Sequence, residues 1–234
     1  MDYIKIKYPK SFNPEMYKDK TIIVVGGGPT TNLVNWQNLD YDIVFSCNQF
    51  YENEKLEQEQ VNVVSLINRV FKMNSDSKTK LETKLDTDNT FIAIEPYHSH
   101  SVFNLNYYKS FVKKYSDRCL FFDTTFQNRA GAAPRLAILA TFFKPKRIYM
   151  VGIDGHGSST TKHSFDKSLV GIRDKKPLHV VNKDYINFAK YMGGLCNKLN
   201  IELYNLGEGY IDNMASSISK INYPLSEEIK NAIQ

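Results

Sequence analysis

A short apolar run, Thr21-Ile22-Ile23-Val24-Val25, is closed by Gly26-Gly27-Gly28-Pro29 and then Thr30. Such a run reads as a strand buried on both faces, the kind found in parallel sheets, because a strand with one wet face would alternate polar and apolar residues. The rest of the chain supports that choice. Tyr41–Cys47, Val61–Ser65, Phe91–Ile94, Cys119–Phe122, Lys146–Gly152 and Ile201–Tyr204 read as further strands. Between them lie the polar stretch Lys72–Asp88, the helically spaced Tyr107–Val112, the apolar Ala132–Phe143 with Pro134 near its start, and the amphipathic Asp184–Leu199. Proline suits the first turn of a helix, where its missing N–H has no partner to lose. Strands alternating with helices predict an α/β fold: a single Rossmann-like, doubly wound, mostly parallel sheet over residues 1–234.

One segment breaks the alternation. Gly155 to Leu178 has little periodicity and much Gly, Ser, Thr and Lys, and a loop of that length inside a domain is more often a functional lid than filler. A lid near 155–180, inserted in the single domain, is therefore expected. His156, His163 and His179 lie in or beside it.

The charge balance narrows the partners. Net charge is +5 with both signs mixed along the chain, which lacks the concentrated basic stripe of a nucleic-acid binder. The basic residues of the C-terminal half (Lys144, Lys146, Arg147, Lys162, Lys167, Arg173, Lys175, Lys176) read first as a solvated face, with a phosphate or an anionic membrane surface as the alternative. Cys47, Cys119 and Cys196 are isolated and odd in number, which argues against a disulfide framework or a zinc ribbon. Met1-Asp2-Tyr3-Ile4-Lys5 lacks a signal-peptide core, and no stretch approaches the roughly 20 apolar residues of a spanning helix. The expectation is a cytoplasmic protein with at most peripheral contact at the inner membrane face. It binds no nucleic acid, and a homo-oligomer is compatible with the sequence.

In open parallel sheets the ligand sits beyond the carboxyl ends of the strands, so the glycine turn is the first candidate site. Glycines let the backbone approach a phosphate or sugar, and the following helix start adds N–H groups and partial positive charge. The turn is not Gly-x-Gly-x-x-Gly, since Thr31 stands at the last glycine, and no Lys-Ser or Lys-Thr follows to make a P-loop. The second strand ends in Cys47-Asn48-Gln49-Phe50, without the acidic residue that holds an adenosine ribose, so hydride chemistry is disfavoured.

Gly27-Gly28-Pro29-Thr30 after the first strand, then Cys47-Asn48-Gln49-Phe50-Tyr51, resembles the start of bacterial sialyltransferases of glycosyltransferase family 42. Asn128-Arg129, a small-residue stretch, an apolar helix and Ile148-Tyr149-Met150-Val151-Gly152-Ile153-Asp154 resemble their middle. His179 with Asn182 and Asp184 resembles the segment carrying their catalytic base, so the match runs in order from about Thr21 to about Leu206. The resemblance implies a GT-A-like variant of the fold and an inverting, metal-independent transfer. A sialic acid, or a related acidic sugar, would pass from a CMP-activated donor to a glycan acceptor. No cofactor is implied beyond the CMP-sugar donor itself, and no metal ligands.

By position His179 would be the general base, with an unperturbed pKa of about 6.5 that suits the task. His156 and His163 stand where the family carries two lid tyrosines that stabilise the leaving phosphate, and imidazole N–H groups can donate to phosphate as phenols do. Gly27, Gly28, Pro29, Thr30, Asn48, Gln49, Arg129, Gly131 and Asp154 would bind substrate. The chain departs from the family at Gly27, where an asparagine is usual, and at Ala130-Gly131-Ala132-Ala133, where Thr-Ser-Gly is usual. Plainer readings stand beside these. Arg129 can pair with a carboxylate such as Asp154, and His98 with His100 makes at most half of a metal site, with no third ligand at fitting spacing. The alternatives in function are an ATP- and magnesium-dependent enzyme resembling archaeal pterin diphosphokinases, or a nucleotide-binding module without chemistry.

Overall fold

The computed structural model describes residues 3–66, 74–95, 105–126, 131–154, 178–207 and 225–234. Among these, eight strands form one sheet: β1 (Ile4–Lys7), β2 (Thr21–Val25), β3 (Ile43–Cys47), β4 (Val61–Ser65), β5 (Phe91–Ile94), β6 (Cys119–Thr124), β7 (Arg147–Val151) and β8 (Glu202–Asn205). Their order is β1-β6-β5-β4-β3-β2-β7-β8, and every pairing is parallel except β1 with β6. The helices are α1 (Thr30–Leu33), α2 (Ser75–Asp88), α3 (Leu105–Lys114), α4 (Ala132–Phe142), α5 (Leu178–Leu199) and α6 (Glu227–Ile233).

The central strand explains the layering. Ile22, Ile23, Val24 and Val25 of β2 are fully buried, and consecutive side chains point to opposite faces. Ile22 and Val24 join a core built from α4 and α5, together with Phe12 and Tyr17 from the N-terminal segment. Ile23 and Val25 join a second core with Trp36, Leu81 and Leu85 of α2, Phe111 and Tyr115 of α3, and Ile229 of α6. Helices therefore cover both faces, which is why the strand needs no polar side. The expected α/β architecture with a mostly parallel sheet is present.

Two helices fix the site face. In α4 the Ala-rich sequence lets the helix lie close on the sheet, and Pro134 falls in its first turn. In α5, Tyr185, Phe188, Ala189, Met192, Leu195 and Cys196 are buried at helical spacing. This helix opens at Leu178 rather than at Asp184, because the apolar pattern runs back through Val180 and Val181 to a helix start just after Pro177 in the sequence. Of the expected lid, residues 178–180 are thus helical, and 155–177 lie outside the described residues.

Each end of the chain adds one further element. Ile4-Lys5-Ile6-Lys7 alternates and adds β1 antiparallel to β6, and α6 is capped by Ser226, whose Oγ accepts the Ile229 N–H at 3.2 Å. Among the described residues no helix is long and apolar enough to cross a membrane.

Candidate functional site

Chain direction makes the site. From β2 the sheet grows outward through β3, β4 and β5 to β6, and the chain then crosses back to place β7 on the other side of β2. The strand order therefore reverses between β2 and β7, and the carboxyl ends flanking that point are where open α/β sheets bind ligands. Gly26–Thr30 leaves β2 there, and Gly152-Ile153-Asp154 leaves β7 beside it.

The two loops are stitched together. The Gly26 N–H donates to the Val151 carbonyl at 2.8 Å, and the Gly28 N–H donates to the Gly152 carbonyl at 2.8 Å. Asp154 Oδ2 accepts the Thr30 N–H at 3.0 Å, and Oδ1 accepts the Thr30 hydroxyl. That hydroxyl oxygen in turn accepts the Gly152 N–H at 3.0 Å. Thr31 Oγ1 donates to the Gly26 carbonyl at 2.8 Å. Glycine is required in both loops. A Cβ on Gly28 would run into the Asp154 carboxylate and lie 2.7 Å from the Gly152 carbonyl oxygen, and Gly152 itself adopts φ +67°, a region that side chains strain to enter.

Asp154 is the hub of this arrangement. It is 2 % exposed, and the end of β8 closes over it, since a Cβ on Gly207 would meet Asp154 Oδ1 at 2.7 Å and Thr30 Oγ1 at 2.6 Å. Burial raises its carboxyl pKa above the ordinary value, while the Thr30 hydroxyl and N–H pull it back down. Asp154 thus ties the ends of β2 and β7 together under the end of β8. Asp154 is expected to bind substrate, and both its carboxylate oxygens accept from Thr30.

This geometry changes what the turn offers a ligand. Helix α1 is a single turn, and its opening N–H, from Thr30, is committed to Asp154. The N–H groups of Thr31 and Asn32 donate to the carbonyls of Gly28 and Pro29. The Gly28 N–H faces β7, and Pro29 has none to give. The turn is therefore a close-packed wall with Gly27 and Gly28 half-buried at its surface, and the N–H groups of Gly26, Gly28, Thr30, Thr31 and Asn32 are taken within the protein.

Asn48 and Gln49 sit on the next strand end. Asn48 takes the left-handed conformation at φ 52°, which asparagine tolerates better than most residues, and its N–H donates to the Ser65 carbonyl at 2.9 Å. Ser46 Oγ donates to the Val25 carbonyl at 2.9 Å, locking the end of β3 to the end of β2. Both Asn48 and Gln49 are half-buried, and Phe50 behind them is an anchor at 2 % exposure. The structure thus brings Gly27, Gly28, Pro29, Thr30, Asn48, Gln49 and Asp154 to one edge of the sheet.

The remaining predicted residues divide in two. Gly131 caps α4 with φ 109°, directly after 127–130, so Arg129 lies outside the described residues, as do His156 and His163. The backbone of His179 falls in the first turn of α5. That helix ends at Leu199, close before β8 begins, and its 22 residues span about 33 Å, so its first turn lies beyond the carboxyl edge of the sheet. Topology therefore puts His179 at the same edge as the glycine turn.

Two charged residues that the sequence reading did not single out meet at this edge. Glu95, just past β5, and Arg135, in the first turns of α4, form an ion pair at 2.9 Å with each side chain 5 % exposed. Arg135 Nη1 also donates to Thr124 Oγ1 at 3.0 Å and to the Phe126 carbonyl at 2.9 Å. Desolvation pushes the Glu95 carboxyl up to about 7 even though Arg135 opposes the shift, and Asp123 adds to it. A signal was available: each is a lone charge in an apolar stretch, Phe91-Ile92-Ala93-Ile94-Glu95 and Ala132-Ala133-Pro134-Arg135-Leu136-Ala137. Among the described residues no group of three or more His, Cys, Asp or Glu is placed to hold a metal ion.

No protein-family model matches the chain, and no match is found among curated proteins. Solved structures do match. The monofunctional alpha-2,3-sialyltransferase Cst-I from Campylobacter jejuni superposes with a TM-score of 0.60 at 17% identity, over 88% of this chain and 83% of that one. The fold is sialyltransferase-like. The sialyltransferase CstII from Campylobacter jejuni, in complex with cytidine-5'-monophosphate, gives a TM-score of 0.58 at 20% identity, over 89% of this chain and 86% of that one. The sialyltransferase CST-II in complex with a trisaccharide acceptor and CMP gives 0.59 at 18% identity, over 88% and 86%.

Proposed function

We propose that this chain is a glycosyltransferase that moves a sialic acid, or a related acidic sugar, from a CMP-activated donor to a glycan acceptor. The observation that carries the reading is the wall at the β2–β7 switch point, in a fold shared with sialyltransferases solved with CMP and with an acceptor trisaccharide. A wall in which the N–H groups of Gly26, Gly28, Thr30, Thr31 and Asn32 are taken within the protein suits the flat side of a nucleoside better than a phosphate, which needs converging donors. Gly27 and Gly28 would pack against the cytidine, and Asn48 and Gln49, on the neighbouring strand end, would supply its polar contacts.

The chemistry in this proposal is one displacement. The acceptor hydroxyl oxygen attacks the anomeric carbon, the bond from that carbon to the phosphate oxygen of CMP breaks, and the configuration inverts. His179 takes the hydroxyl proton as it is lost, His156 and His163 donate to the departing phosphate, and Arg129 holds the sugar carboxylate. In this reading neither a metal nor a further cofactor takes part. Asp154 serves by holding the wall rather than by touching the donor.

Thermal shift with CMP, CDP, ATP, and ATP plus magnesium tests the nucleotide, because a ligand of the folded state alone raises the melting temperature. Stabilisation by CMP and not by ATP with magnesium is expected, and the reverse result would point to the ATP-dependent alternative. Slow hydrolysis of CMP-sialic acid, lost in His179→Ala with CMP binding retained, separates an enzyme from a binding module.

A further inference from the structure

The Glu95–Arg135 pair is an expensive feature for a core to carry. Burying both ions costs desolvation free energy that their attraction only partly returns, and well-packed apolar residues commonly do as well or better for stability. Arg135 is also the one charged side chain in a helix that is otherwise apolar from Ala132 to Phe142 apart from Thr141. What the guanidinium does that an apolar side chain cannot is join separate pieces of chain. Its Nη1 reaches Glu95 at the end of β5, and Thr124 and Phe126 at the end of β6, from the start of α4. Its Cζ also lies 6.0 Å from the centre of the Phe126 ring. All three contacts converge on that one nitrogen, so a single side chain ties the ends of both strands to α4.

The location matters as much as the bonding. All three pieces lie at the carboxyl edge, the side of the sheet that carries the glycine turn. Strand β5 stands three positions from β2, about 14 Å at ordinary strand spacing, a reach comparable with a nucleotide joined to a nine-carbon sugar. We propose that Arg135 is a positioning residue for the sugar-nucleotide site, clasping the carboxyl ends of β5 and β6 to the first turns of α4 through Glu95, Thr124 and Phe126. The inference rests on the reading of this edge as a CMP-sugar site. Residues 124–126 and 131–135 bracket the connector that carries Arg129 in the sequence, so the clasp fixes both ends of that connector.

The test separates positioning from support. Arg135→Met and Glu95→Gln each leave one member of a buried pair without its counterpart and should lower the melting temperature, whereas Glu95→Leu with Arg135→Met removes both charges and should restore much of it. CMP affinity, measured by titration calorimetry, should nevertheless stay weaker by about fivefold or more in the restored double variant. A stable double variant that binds CMP as tightly as the wild type would overturn the proposal. If the wild type itself binds no CMP, the sugar-nucleotide reading fails instead, and the clasp is then judged by amide exchange. Faster exchange across 119–126 in the stable double variant supports the clasp, and unchanged exchange there overturns it.

Discussion

Replacing Asp154 distinguishes a scaffold from a ligand group, and its effect can be worked from the hydrogen bonds. In Asp154→Ala the Thr30 N–H and hydroxyl lose their acceptors in a site closed by Gly207. Each buried donor left unsatisfied costs about 1–3 kcal/mol, so about 3 kcal/mol is expected once the relief of a desolvated carboxylate is set against it. For a domain of this size that corresponds to a fall of roughly 6–12 °C in melting temperature. Asp154→Asn keeps one acceptor and should cost about 1 kcal/mol. The pH dependence has a definite sign. The folded-state pKa of Asp154 is raised, so its contribution is fully present below the unfolded pKa and is lost as pH rises through the folded one. Asp154→Asn should lack that slope. Thermal and urea denaturation at several pH values read both effects, and CMP titration reads binding. Unchanged stability in Asp154→Ala together with lost CMP binding would refute the scaffold argument and return Asp154 to the ligand.

Other expectations follow from the same geometry. Gly28→Ala should cost about 1–3 kcal/mol in urea denaturation, because the added methyl overlaps the Asp154 carboxylate. Gly194→Ala is the contrasting case: it lies in α5 with no atom within 4 Å of the added Cβ, so it should stabilise by about 0.5–1 kcal/mol. Glu95 has a folded-state pKa pushed up to about 7, so its contribution to stability is lost as pH rises from the ordinary carboxylate range through about 7. The melting temperature of Glu95→Gln should show a flatter profile over that window. His179→Ala should lower CMP-sialic acid hydrolysis roughly 100- to 10,000-fold, as loss of a general base does, with the affinity for CMP unchanged.

The sheet was legible because burial on both faces leaves a plain mark. Ile22–Val25 and Phe91–Ile94 are short apolar runs bounded by turn or polar residues, Val61–Ser65 is broken only by Asn62 before Ser65, and each became a strand. The ends were harder. Ile4–Lys7 is half polar because an edge strand has a wet side, and α6 is a seven-residue helix whose place depends on contacts far away in sequence. Asn35 and Asn38 donate to the carbonyls of Gln234 and Ala232. The turn was legible as a turn, but the direction of its N–H groups was not, since that depends on the partner residue Asp154, 124 positions from Thr30. Glu95 and Arg135 were missed for the same reason: each alone is an oddity, and only the fold makes them a pair.

The antiparallel strand β1 has a consequence for how the protein behaves in concentrated solution. Without it, β6 would present the unpaired backbone of Cys119-Leu120-Phe121-Phe122-Asp123-Thr124 along the rim of a parallel sheet, a template for sticking to a second molecule. Ile4–Lys7 covers that rim and turns out Lys5 and Lys7, whose charges repel an incoming strand. Shortening the chain past Lys7 would therefore show itself as turbidity and self-association.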